Sequence, residues 1–400
     1  MQKKLIVLAL AGLTAAPAFA QSNVTVYGRV DYGYQSRGGN DGLVDVNGRK
    51  GEMASGMQGG SRLGFKGSED LGNGLKAIFE IESGLTNDAS GVPAGSGNGS
   101  NAATGNSGLF TSNRHAYVGL TGNFGTVVGG RLDGVRYGIF NKYDAFGGGG
   151  MGNFTQMTAQ VDRADNAIAY ISPKFSGFGV VLAHSRSIFG QETAGSINLA
   201  GAPAGAVKAN NNDGRLYTAM LTYDNGPLSA AIDYERINFA HDGALENAHV
   251  ITAGASYDFG MVKLSAVYDI HRADWDNTLV GPGEAVDYKD WFVSAKVPYG
   301  KFDFKATYGR VSDRRNNAET AQTSAAIAGA TRGDASKIGL GVNYNLSKRT
   351  NIYADYARIS NSSNANYMLS PGANSISGAT TIQAGGYGVS GFNVGLAHNF

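Results

Sequence analysis

Lys337-Ile338-Gly339-Leu340-Gly341-Val342-Asn343-Tyr344-Asn345-Leu346 alternates without a break: Ile338, Leu340, Val342, Tyr344 and Leu346 share one face of an extended chain, and Lys337, Gly339, Gly341, Asn343 and Asn345 the other. Ile251, Ala253, Ala255, Tyr257 and Phe259 repeat the pattern, as do Leu264, Ala266, Tyr268 and Ile270. Helix-period patterns are nearly absent from Gln21 onward. Sixteen candidate strands start near residues 24, 60, 75, 113, 125, 166, 177, 214, 227, 248, 261, 287, 301, 335, 350 and 391, most of them ten to thirteen residues long.

The connections alternate in length. Leu71-Gly72-Asn73-Gly74, Gly122-Asn123-Phe124, Phe175-Ser176-Gly177, Asp224-Asn225-Gly226-Pro227, Asp258-Phe259-Gly260, Pro298-Tyr299-Gly300 and Ser347-Lys348-Arg349 are short, and most carry the Gly and Asn of tight strand reversals. Between them lie long polar segments such as Ser36 to Gly59, Asn87 to Ser112, Asp133 to Asp165, Phe189 to Asp213, Ser312 to Asp334 and Asn361 to Ser390. A soluble sandwich has no reason to gather its long loops at one end, whereas an outer-membrane barrel keeps its periplasmic turns short and lets its external loops grow. An even strand number then puts both termini on the periplasmic side. The chain reads as all-β: a 16-stranded antiparallel transmembrane barrel with short periplasmic turns and long external loops.

Composition agrees by exclusion. The 400 residues carry 33 Lys and Arg against 32 Asp and Glu, so nothing electrostatic points to nucleic acid. With no Cys, thiolate metal sites, disulfides and Cys nucleophiles are ruled out. Basic Met1 to Lys4, apolar Leu5 to Leu13 and the small residues of Ala18-Phe19-Ala20 read as a secretory signal over residues 1–20, leaving 21–400 as a single barrel. Lys3 and Lys4 leave with it, so 31 cations face 32 anions in the mature chain, formally −1. No run approaches the ~20 apolar residues a membrane-spanning helix needs.

Charges sort by strand face. With the apolar phase taken as outward, the inward phase collects Arg29, Asp31, Arg62, Lys66, Glu80, Glu82, Arg131, Asp233, Glu235, Asp269, Lys305, Lys337 and Asp355 among others, a wet interior rather than a packed core. Arg114, Arg215, Lys289, Arg310 and Arg358 fall on the outward phase at strand ends beside long loops, where they would meet lipid phosphates of the outer leaflet. Enzyme motifs are absent or out of context. Gly386-Tyr387-Gly388-Val389-Ser390-Gly391 fits a dinucleotide pattern but leads from a loop into the last strand, without the strand and helix that the motif needs. Inward His115 and His271 keep a barrel hydrolase as one rival reading, and a secreted soluble adhesin is the other.

Val24-Thr25-Val26-Tyr27-Gly28-Arg29-Val30-Asp31, the block Ser61-Arg62-Leu63-Gly64-Phe65-Lys66-Gly67-Ser68-Glu69-Asp70-Leu71-Gly72-Asn73-Gly74, Arg114-His115-Ala116-Tyr117-Val118-Gly119-Leu120 and the terminal Phe400 resemble the Gram-negative trimeric porins of the beta-proteobacterial type. The resemblance runs through the mature chain. It implies a homotrimer in the outer membrane, one channel per subunit, no chemistry and no cofactor, and passive passage of small ions and hydrophilic solutes. It also implies that the third long loop, Asp133 to Asp165, folds into the barrel and sets its width, with Gly147 to Gly150 allowing a sharp reversal. Its acidic side, Asp133 and Asp144, would face a basic wall of Arg29, Arg62, Arg131 and Lys66. Phe392, Val394, Leu396 and Phe400 are similar to the signal that barrel-assembly machinery reads. With Lys76 and Lys301 counted, the inward wall has ten cations against eight anions, which predicts a weak anion preference.

Overall fold

The structure, a computed structural model, describes residues 23–42, 44, 45, 48–85, 87, 110–158, 161–188, 214–238, 245–275, 284–315, 333–369 and 388–400. The proposed signal, residues 1–20, lies outside them. Among the described residues seventeen strands form one sheet: β1 (Asn23–Gly38), β2 (Arg49–Ser55), β3 (Arg62–Gly72), β4 (Leu75–Leu85), β5 (Phe110–Gly122), β6 (Gly125–Asp133), β7 (Arg163–Ile171), β8 (Phe178–Ser185), β9 (Arg215–Asn225), β10 (Leu228–Asn238), β11 (Leu245–Asp258), β12 (Lys263–Trp275), β13 (Glu284–Tyr299), β14 (Phe302–Asp313), β15 (Ala335–Asn345), β16 (Thr350–Asn361) and β17 (Ser390–Asn399).

From β3 to β17 each strand pairs antiparallel with the next, and β17 pairs with β1, from Arg29 opposite Asn399 to Gly38 opposite Ser390. Among the described residues the sheet therefore closes on itself through β1, β3 and β17, the condition for crossing hydrocarbon with strands. Both chain ends meet at this seam, where Gly28 and Phe400 exchange backbone hydrogen bonds of 3.2 and 3.1 Å.

The strand not foreseen from sequence is β2. It lies end to end with β3 beside β1, opposite Tyr32–Gly38, while β3 covers Asn23–Arg29, so seventeen strands fill sixteen wall positions. Arg49-Lys50-Gly51-Glu52-Met53-Ala54-Ser55 carries too few apolar residues to alternate visibly. Its ladder with the outer part of β1 supplies what its side chains do not.

Side-chain exposure inverts that of a soluble protein. On β15, outward Ile338 and Leu340 are 41% and 46% exposed, whereas inward Lys337 is 1% exposed. Val118, Ile168, Leu221, Ile232, Val293 and Phe304 continue the exposed apolar belt around other strands. A belt this continuous has lipid as its solvent. No helix among the described residues is long and apolar enough to cross a membrane.

Candidate functional site

After β6 the chain does not pass over the rim. Gly134 donates to the Asp162 carbonyl at 2.9 Å, closing the base of a loop that lies against the inner wall from β10 to β16. Its first part is a helix, α1 (Val135–Tyr143), packed on β10, β11 and β12.

Arg136 pins that helix. Its Nη2 lies 2.5 Å from Asp269 Oδ2 and 2.8 Å from Thr158 Oγ1, and its Nε donates to Thr252 Oγ1 at 3.0 Å. Burial alone would lower its pKa, but Asp269, with Asp290 and Glu235 beyond, raises it, so the guanidinium stays charged. Asp269, His271 and Asp290 place one donor atom each within 4.8 Å of one another, a set that could hold a metal by composition. Arg136 Nη2 already sits 3.1 Å from His271 Nε2, so the cluster serves as the socket of the helix.

The rest of the loop follows the wall. Ala145 N–H donates to Ser294 Oγ at 2.7 Å, Lys305 Nζ stands 4.5 Å from the Phe146 ring centre, Phe154 packs on Phe292, and Lys337 Nζ donates to the Asn153 carbonyl at 2.5 Å. Two inward glycines make the seat flat. A Cβ at Gly254 would stand 2.5 Å from the Tyr143 ring, and one at Gly339 would stand 2.3 Å from the Gly152 carbonyl oxygen. Gly339→Val is therefore expected to lift the loop into the lumen, lowering single-channel conductance and costing about 1–3 kcal/mol of overpacking. Unchanged conductance in planar bilayers would show that the loop does not rest there.

Asp144, expected on the acidic face of the loop, is instead buried beneath it. Its carboxylate accepts from Phe146 N at 2.8 Å, Phe154 N at 2.7 Å and Thr307 Oγ1 at 3.3 Å. Burial raises its pKa, opposed by those N–H donors and by Lys337. It shapes the loop. Asp133 stands at the end of β6, 3.1 Å from Arg163 and 3.4 Å from His115.

Beside the β15–β16 end of the loop's seat, the chain between β2 and β3 turns inward as a second element. Asp31 accepts from Gln58 N at 2.6 Å, Gly59 N at 3.1 Å and Tyr353 OH at 2.6 Å, and Gly150 N donates to the Met57 carbonyl at 2.8 Å. Gln58 reaches Asn343 and Asn351 at 3.0 and 3.2 Å. This inward turn and the infolded loop therefore brace each other.

Three arginines gather round it. Arg62 Nη1 donates to the Gly59 carbonyl at 2.9 Å and Arg29 donates to the Gln58 side chain. A Cβ at Gly60 would stand 3.2 Å from Arg114 Nη1. Arg114 pairs with Glu82, which Arg62 also approaches at 3.5 Å. Three guanidiniums face the carboxylates of Asp31 and Glu82, an excess of one positive charge.

Arg114 thus stands inside, not on the outward rim where strand phase puts it. Ile81 pairs with Ala116 but Ser83 with Asn113, so β5 spends three residues where β4 spends two. That bulge flips the phase of the residues beyond it as far as the next shift, between Gly84 and Leu85. Arg131 is occupied by Asp165 and by the Arg114 carbonyl, and Lys66 lies nearer the short turns, 5.0 Å from the Tyr27 ring centre. Arg215, Lys289, Arg310 and Arg358 do keep the outward phase, Arg310 beside Asp334 at 2.7 Å. Phe392, Val394 and Leu396 face outward on β17.

Sequence reasoning missed Arg136 and its socket, and the inward turn at Gly56–Ser61. The Gly56, Gly59 and Gly60 spacing just before Ser61 was the available signal for the second.

A closed, lipid-faced barrel with a polar interior narrowed by an infolded loop defines a water-filled transmembrane channel. The profile of the Gram-negative porin family matches residues 6–364, and the chain belongs to that family. It is 32% identical over 391 residues to an outer membrane porin protein of Bordetella pertussis, covering 88% of this chain and 93% of the relative. It is 30% identical to outer membrane porin protein 32 of Delftia acidovorans over the full length of both. Among solved structures, an anion-selective porin from Comamonas acidovorans superimposes with a TM-score of 0.69 at 26% identity, covering 95% of this chain and 100% of that one. The chain is an outer-membrane diffusion porin.

Proposed function

We propose that this porin passes small hydrophilic solutes with a weak preference for anions, set where Arg29, Arg62 and Arg114 ring the inward Gly59-Gly60 turn. The carrying observation is the local excess of one positive charge at the narrowed level. Lys66 and Arg131 extend the basic wall, and Asp133 supplies the acidic side near the loop's base. Anion selectivity in the Comamonas porin supports the same sign. A reversal potential measured across a salt gradient should show chloride favoured over potassium, whereas strong cation selectivity overturns the reading.

The finer features belong to the same proposal. The chain is exported by residues 1–20, performs no catalysis, assembles as a homotrimer and keeps both termini in the periplasm. The trimer draws support from the shared fold of OmpT of Vibrio cholerae, which has a trimer form and a TM-score of 0.60 at 15% identity. The alternating Phe392, Val394, Leu396 and Phe400 series serves the barrel-assembly machinery. Arg215, Lys289, Arg310 and Arg358 meet lipopolysaccharide and other outer-leaflet lipid.

A further inference from the structure

We propose that the outward face of β9 to β12 holds one lipopolysaccharide molecule at a defined site, an acyl chain lying in a groove over Ala219 and a phosphate resting on Arg236, His249 and Arg272. This rests on the outer-membrane reading above and names a place where the bilayer lipid is held rather than merely adjacent.

The belt is notched at Ala219. A groove of about 380 Å³ opens there, lined by Val180, Ala219, Leu221, Ile232, Tyr234 and Ile251. Ala219 is opposite Leu182 on one side and Tyr234 on the other, so a methyl group sits between two large side chains. The register then stacks two rows across the strands. Ala219, Tyr234, Ile251 and Ile270 form one, and Tyr217, Arg236, His249 and Arg272 form the next, toward the long loops. The second row puts cationic donors directly beyond the apolar groove, the order in which a phosphorylated acyl lipid presents its parts.

The donors face outward. Arg236 is exposed and spends its Nε on Asn238 Oδ1 at 2.8 Å. Arg272 has a side chain 56% exposed and keeps a loose 3.8 Å approach to Asp287. His249 Nδ1 lies 2.8 Å from Tyr234 OH, which fixes the imidazole over the groove's edge. Lys289 stands beside this row, opposite Ile270. A second copy of the chain docked symmetrically here would set arginine against arginine, which disfavours that occupant.

The test uses the full-length protein refolded in detergent, with lipid A as the probe and native mass spectrometry as the readout. Wild type should retain one lipid A per barrel. Arg236→Gln with Arg272→Gln, and separately Ala219→Phe, should each weaken retention by about tenfold. Dephosphorylated lipid A should bind wild type as weakly as lipid A binds the double variant. Heat-modified mobility on gels verifies that each variant is a folded barrel. Equal retention by wild type and both variants overturns the site, as does indifference to the phosphate. A change in subunit association in Ala219→Phe with lipid retention intact assigns the face to a second copy and also overturns it. Conductance recorded on the same samples separates the two levels: lipid retained without channels refutes the porin reading, and channels without lipid refute only this site.

Discussion

Arg136→Gln should give a wider and noisier channel in a less stable barrel. The substitution leaves Asp269 buried without its guanidinium, with only His271 beside it at 3.6 Å, and breaking one side of a buried ion pair costs about 3–5 kcal/mol. The socket also loses the donors that Arg136 offers to Thr158 and Asp269. Helix α1 cannot compensate locally: nine residues are too few to be stable without packing, and no side chain caps its first turn. Single-channel recordings should therefore show larger steps with added flicker, and thermal unfolding in detergent should fall by several degrees. Conductance and thermal stability both matching wild type would mean that the contacts of Phe154 and Lys337 hold the loop unaided.

Arg29→Gln combined with Arg62→Gln should abolish the anion preference or reverse it. A unit charge about 6 Å from an ion in water is worth roughly 0.7 kcal/mol, about threefold in local ion concentration. Removing two leaves Arg114 alone against Asp31 and Glu82, turning an excess of one positive charge into one negative. The reversal potential in a salt gradient should move toward the cation side, and more at low ionic strength than at 1 M, where the screening length shrinks to about 3 Å. A reversal potential unmoved at low salt would place the selectivity filter elsewhere. Gln stays polar but is shorter than Arg, so some added width and a larger conductance are expected too, while the reversal potential reports the charge.

These two expectations divide along what the sequence could show. The wall was legible because alternation in β15, β11 and β12 is a direct consequence of strand geometry, and each outward residue is chosen for lipid whatever lies around it. That a loop folds inward comes from the resemblance to trimeric porins, and its position after β6 only identifies which one. The contents of the loop were not legible. Asp144 has the look of a lumen carboxylate, yet its partners Phe154 and Thr307 come from ten residues on and from another strand. A phase counted from Val118 and Leu120 carries straight through to put Arg114 at the rim, and nothing in Arg114-His115-Ala116 announces the extra residue.

What the sequence by itself determined is the barrel: its sixteen wall positions, most inward and outward faces, and the alternation of short turns with long segments, all set by interactions within one strand or one turn. Only the tertiary structure decided the filter. Arg29, Arg62 and Arg114 meet because β1 pairs with β3 and sets Arg29 opposite Arg62, because Asp31 draws Gln58 and Gly59 inward, and because a bulge rotates β5 by one residue at Arg114. Each of those depends on pairing between segments far apart in the chain, where one residue of register changes which solvent a charge meets.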